Sequence, residues 1–151
     1  MSRTSDTVNA RKAKAHNGFL VMASKKPKLN WGPKGAWVLP KSLMEHSDFR
    51  ELTPSAMKIL MVLGSQYNGR NNGDLSATKT TVKSWGGMAE GTLAKALREL
   101  REANLILCTR ASYRRRDGQK CALYALTWLP IDPCIGKGLE VKDTAIAKRK
   151  L

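Results

Sequence analysis

The apolar pattern of this chain changes period once, at Leu105, and that change limits the folds open to it. Before it, Leu93, Ala96, Leu97 and Leu100 recur at helical spacing, which at about 100° per residue gathers them into one stripe. After it, LILCTRASY and CALYALTWL read as strands on either side of RRRDGQ, where Asp117-Gly118 is a two-residue hairpin signal. A helix that runs straight into a hairpin needs other helices to cover its stripe.

The upstream sequence supplies them. Thr53 is an N-cap candidate, Pro54 suits the first helical position, and Leu52 can staple the entry. Ala56, Ile59, Leu60, Leu63 and Tyr67 then share a face, and Asn68-Gly69 predicts the end of this helix. A second helix is expected over about 78–85, capped by Thr78 or Ser76, with Val82 and Trp85 inward and Gly86-Gly87 as its stop. Met88 reads as a buried turn residue. The third helix spans about 89–103, with Asn104 in the left-handed position after it. Before all three, Val38-Leu39 suits a short strand and Ser42 to His46 a helical turn.

Centring the hairpin on Asp117-Gly118 pairs Leu107 with Trp128, Thr109 with Leu126 and Ala111 with Tyr124, and makes that the core face. Cys108 then faces Thr127, and Cys121 faces Arg114. The expected fold class is α+β: a winged helix-turn-helix, with a three-helix core, a two-stranded β-hairpin wing and basic disordered tails. The expected organisation is a disordered basic arm over 1–36, the winged domain over 37–131, and a basic C-terminal tail over 132–151 that has room for a short helix.

Charge follows these boundaries. The chain of 151 residues has a net charge of +15. Residues 1–36 hold eight Lys/Arg against Asp6 alone, and residues 109–120 hold five against Asp117. Residues 37–108 are close to balanced, with nine bases and seven acids. Basic extensions on a near-neutral core suit a polyanionic partner, and nucleic acid before any other. His16 and His46 are far apart with no nucleophile motif nearby, so an enzyme is not expected. Cys108, Cys121 and Cys134 lack C-x-x-C spacing, so neither a metal site nor a disulfide framework is indicated, and no cofactor is expected. No apolar run approaches membrane-spanning length and no signal peptide is read, so the expectation is no membrane and a cytoplasmic, nucleoid-associated protein.

A helix-turn-helix followed by a hairpin fits double-stranded DNA, with the third helix in the major groove and the wing beside it. On that reading Thr92, Lys95 and Arg98, with Gly91, face the groove or its phosphates. Ser76, Thr78, Lys79 and Lys83 position the backbone. Arg110, Arg114, Arg115, Arg116 and Lys120 form the wing cluster. Glu90 has two readings: an acid in a first turn favoured by the helix macrodipole, or an acceptor for cytosine N4, the former preferred. Trp31 is the aromatic placed to stack on bases or dock on a partner.

The string MAEGTLAKALRELREANLI followed by a strand resembles the recognition helix of winged-helix repressors of the GntR type. The wider stretch from Val38 to Gly87 resembles winged-helix proteins of proteobacterial prophages and plasmids, some of them similar to replication proteins. The resemblance covers about residues 37–130. It implies that Thr92 meets a phosphate, and that Glu90 and Ala94 stand where such domains often carry base-reading arginines. It implies a transcriptional regulator of a mobile element, with a replication or partition accessory role as the alternative and an RNA- or protein-binding winged helix as a further one. No effector-binding domain is expected in the roughly twenty residues after Leu129. A homodimer on two half-sites is compatible with the resemblance, although no coiled coil supports it.

Overall fold

The structure is a computed structural model and describes residues 30–151; the expected arm lies outside the described residues as far as residue 29. The chain divides into two units, Met1–Pro33 and Lys34–Leu151. In the described end of the first, the Gly32 N–H donates to Asn30 Oδ1 at 2.9 Å. The second unit is α+β. Among the described residues it has five helices, α1 (Lys41–Glu45), α2 (Ser47–Arg50), α3 (Pro54–Gly64), α4 (Lys79–Lys83) and α5 (Glu90–Glu102). Four strands follow, β1 (Ile106–Arg110), β2 (Tyr113–Arg115), β3 (Gly118–Lys120) and β4 (Leu123–Leu126). Val38 is exposed and outside any strand, contrary to expectation.

α3 starts as its sequence predicts. Thr53 Oγ1 accepts the Ala56 N–H, and Pro54 opens the first turn. It ends at Gly64, one turn before Asn68-Gly69. Two side chains end it early: Ser65 Oγ and Gln66 Nε2 both donate to the Val62 carbonyl, at 2.9 and 2.8 Å. Gly64 itself lies flat against the Trp37 ring, where a Cβ would overlap it. Ala56, Ile59, Leu60 and Leu63 are buried as expected, with Val62 beside them, while Tyr67 is half-buried.

α4 is shorter than expected. Thr78, not Ser76, is its cap, accepting the Thr81 N–H at 3.1 Å. Gly86 and Gly87 adopt φ of 85° and 71°, and the Gly87 N–H donates to the Val82 carbonyl at 3.0 Å. Val82 is buried, but Trp85 is 41% exposed, because the helix stops at Lys83 and carries Trp85 off the inward face. Met88 is half-buried against the core. α5 buries Leu93, Ala96 and Leu100, with Leu97 half-buried, and Asn104 takes the left-handed φ of 53°. The helical stripes meet Leu105, Ile106, Tyr124, Leu126 and Trp128 in one core.

The hairpin forms, but in a different register. Leu107 pairs with Ala125 rather than Trp128, and Cys108 with Tyr124 rather than Thr127. Arg114 pairs with Gln119, not Cys121. Two features make up the shift. The turn residues are Arg116 and Asp117, and Gly118 uses its positive φ of 123° as the first residue of β3. A register irregularity between Cys108 and Arg110 then adds an odd step. Of the expected core face Thr109, Tyr124, Leu126 and Trp128 are buried, whereas Leu107 is half-buried and Ala111 exposed, and Ile106 enters the core instead. The ladder splits into two sheets, β1-β4 and β2-β3. Leu75 joins β4 through two hydrogen bonds with Tyr124, at 3.2 and 2.8 Å.

Residues 132–151 are packed on the domain rather than extended as a tail, and they contain no helix. The Glu140 N–H donates to the Thr109 carbonyl at 2.8 Å, Thr144 to Ile131 at 2.9 Å and Arg149 to Thr127 at 2.8 Å. The Arg149 guanidinium is buried, donating from Nη2 to Asp48 Oδ2 (2.8 Å) and from Nη1 to the Ala103 carbonyl (3.0 Å) at the end of α5. One of these contacts, Arg149 with Asp48, joins residues 101 apart in sequence, which local pattern does not encode.

Candidate nucleic-acid interface

The helical part of the site is built on the α4–α5 turn. Lys58 Nζ donates to the Gly87 carbonyl at 3.1 Å and anchors that turn on α3. Across it, Lys79 Nζ meets Glu90 Oε2 at 2.7 Å, both side chains being exposed. The hydrogen bond from Lys79, reinforced by its charge, holds the Glu90 carboxyl below the usual glutamate range. Glu90 therefore has a partner on the preceding helix, and Lys79 is occupied by it.

Gly91, Thr92, Lys95 and Arg98 lie on the exposed side of α5, opposite Leu93, Ala96 and Leu100. Glu99, which at i,i+4 spacing suits Lys95, is used elsewhere. Its two oxygens accept from Thr53 N–H (2.6 Å) and Thr53 Oγ1 (2.7 Å), tying α5 to the start of α3. Among the described residues Lys95 forms no ion pair, whereas Arg98 stands 3.9 Å from Glu102. Lys83 is exposed on α4. Ser76 and Thr78 are half-buried and committed to structure: the Ser76 N–H donates to Gln66 Oε1 at 3.1 Å, and Thr78 caps α4.

The hairpin tip carries the densest charge. Arg114, Arg115, Arg116 and Lys120 are exposed on β2, β3 and their turn, and none forms an ion pair among the described residues. Arg115 lies over the Tyr113 ring, 5.1 Å from its centroid, which limits its freedom. Arg110 departs from the expectation. It is only 7% exposed, and its guanidinium donates to the carbonyls of Lys137 and Cys121 instead of facing solvent. The register shift at the base of the hairpin turned it inward.

Two groups of expected residues are thus brought together: Lys79 with Glu90, and Ser76, Arg110 and Lys120 around one groove beside the hairpin. The sequence reading missed Lys137, Tyr113 and Asp74, which line the same groove. Lys137 lies between Gly136 and Gly138 in the segment expected to be a loose tail, and only its docking puts it there. Among the described residues no cluster of His, Cys, Asp and Glu could hold a metal ion, and no helix is long and apolar enough to cross a membrane. Comparisons of the chain with protein families, curated proteins and solved structures return no match.

Proposed function

We propose that this protein binds double-stranded DNA as a winged helix-turn-helix, with α5 toward the major groove and the β2-β3 hairpin as the wing. The observation that carries the reading is the hairpin tip: Arg114, Arg115, Arg116 and Lys120, exposed on a two-stranded ladder and free of carboxylate partners among the described residues. Core packing gives no reason for three consecutive arginines at a tip. Cations there release counterions when they meet phosphates. Thr92, Lys95 and Arg98 add the exposed face of α5, and Glu90 supports the helix junction rather than reading a base.

With the resemblance of residues 88–106 to GntR-type recognition helices, the role we propose is transcriptional regulation of a mobile element. Mapping bound sites on the host element separates promoters from origin repeats. The binding test is a duplex titration across salt concentrations with Arg114, Arg115 and Arg116 all changed to Ala. The slope of log K against log salt should fall by about 2–3. A slope equal to that of the parent protein removes the hairpin from the interface.

A further inference from the structure

Arg110 is a buried cation without a counter-ion. Arginine stays ionised in proteins, and burying a charge is costly unless an opposite charge or full hydrogen bonding meets it. Its Nη atoms reach the carbonyls of Lys137 and Cys121, and Cζ lies 5.8 Å from the Tyr113 ring centroid. The Nε–H is buried and has no acceptor. Carbonyls and a ring face offer only partial charge, and among the described residues no carboxylate stands within 4.0 Å.

The side chain borders a groove of about 630 Å³ between the hairpin, residues 74–76 and the loop 136–138. Lys120 and Lys137 line it from opposite chain segments, and both are exposed. Its one carboxylate, Asp74, is engaged by Lys137 Nζ at 2.9 Å. Three cations against one anion leave the groove with two positive charges in excess. Ser76 Oγ, also on the groove, is held only by a 3.4 Å hydrogen bond to Gln66 and is able to turn toward a stronger acceptor. Donors arriving from three chain segments suit a tetrahedral oxyanion with several acceptor oxygens.

We propose that this groove binds a phosphate group, with Arg110 as the buried charge beneath it and Lys120 and Lys137 closing on it from the rim. A phosphodiester of nucleic acid and a free phosphate or phosphorylated small molecule offer the same oxygens. The first source rests on the DNA reading above; the site itself does not.

The test titrates inorganic phosphate at constant ionic strength into the isotope-labelled full chain and follows the Arg110 Nε–H resonance. A saturable shift is expected. Lys120→Gln should weaken it about tenfold, and Asp74→Asn, which frees Lys137 and removes the carboxylate, should tighten it. These rim variants carry the test because replacing Arg110 endangers the fold. No saturable shift, or one curve shared by the parent and both variants, overturns the site. A second arm adds duplex DNA. If the duplex moves the same resonances and competes with phosphate, the bound group is a phosphodiester. If phosphate saturates the groove while the duplex leaves those resonances unmoved, the site serves a free or small-molecule phosphate, and the DNA reading stands or falls on its own salt titration.

Discussion

Glu90 and Lys79 show how one residue changes meaning with its neighbour. As a lone acid at the start of α5, Glu90 would repel a phosphate backbone. Bonded to Lys79 at 2.7 Å, it is part of a neutral pair. Its carboxyl pKa is lowered, so the pair's contribution is present above the ordinary glutamate range and is lost as pH falls through the lowered value. In a carbon-detected titration, Lys79→Met should move the Glu90 midpoint up toward that of a free glutamate. Glu90→Ala should release Lys79 to solvent and steepen the salt slope of duplex binding by about one. Arg149 acts differently, because its guanidinium is buried against Asp48 and the Ala103 carbonyl. Arg149→Met should cost about 1–2 kcal/mol in urea unfolding, and much less when Asp48 is already Asn.

Among the elements, α3 and the hairpin differ in how much of their form is local. The start of α3 is set locally by the Thr53 cap and Pro54, and Glu99 of α5 braces it. The end of α3 is not set locally, because Gln66 bridges Val62 and Ser76 and the Trp37 ring covers Gly64. Gly64→Ala should therefore destabilise by overpacking, about 1–3 kcal/mol by chemical denaturation, although alanine is the better helix former. The hairpin was legible as a hairpin, and Asp117-Gly118 marked its turn to within one residue. Its register was not, since the irregularity near Thr109 has a tertiary cause: Thr109 is fully buried with Oγ1 donating to the Gly73 carbonyl at 2.6 Å. That single step put Arg110 inside and left Arg114, Arg115, Arg116 and Lys120 outside.

At the scale of the whole molecule, the C-terminal segment is a strap. It crosses from Asp132 beside Asn72, past Thr109 at the hairpin base, to Arg149 at the end of α5. Asn72 is fully buried and braces the same region, its Nδ2 donating to the Pro130 carbonyl at 2.7 Å and its Oδ1 accepting the Leu126 N–H at 2.7 Å. Truncation after Ile131 should expose Arg110 and uncouple the hairpin from the helices. Faster amide exchange in β1 and β4 and a lower Tm are the expected readouts. Unchanged exchange would mean that the strap rests on the domain without supporting it.

The sequence by itself determined the three main helices and the hairpin, though not the absence of a strand at Val38-Leu39, together with the stripe that α5 buries, the cap at Thr53 and the concentration of arginine at a turn. These depend on neighbours a few residues apart, through side-chain period, capping hydrogen bonds and glycine conformations. Only the tertiary structure decided that Trp85 stays outside, that Glu99 serves Thr53 rather than Lys95, that Arg110 is buried, and that Lys137 reaches a groove beside the hairpin. Glu99 meets Thr53 46 residues away, Arg110 meets Lys137 27 residues away, and Lys137 meets Asp74 across a still longer stretch of chain. Such pairings form only when the packed core brings distant segments within hydrogen-bonding distance.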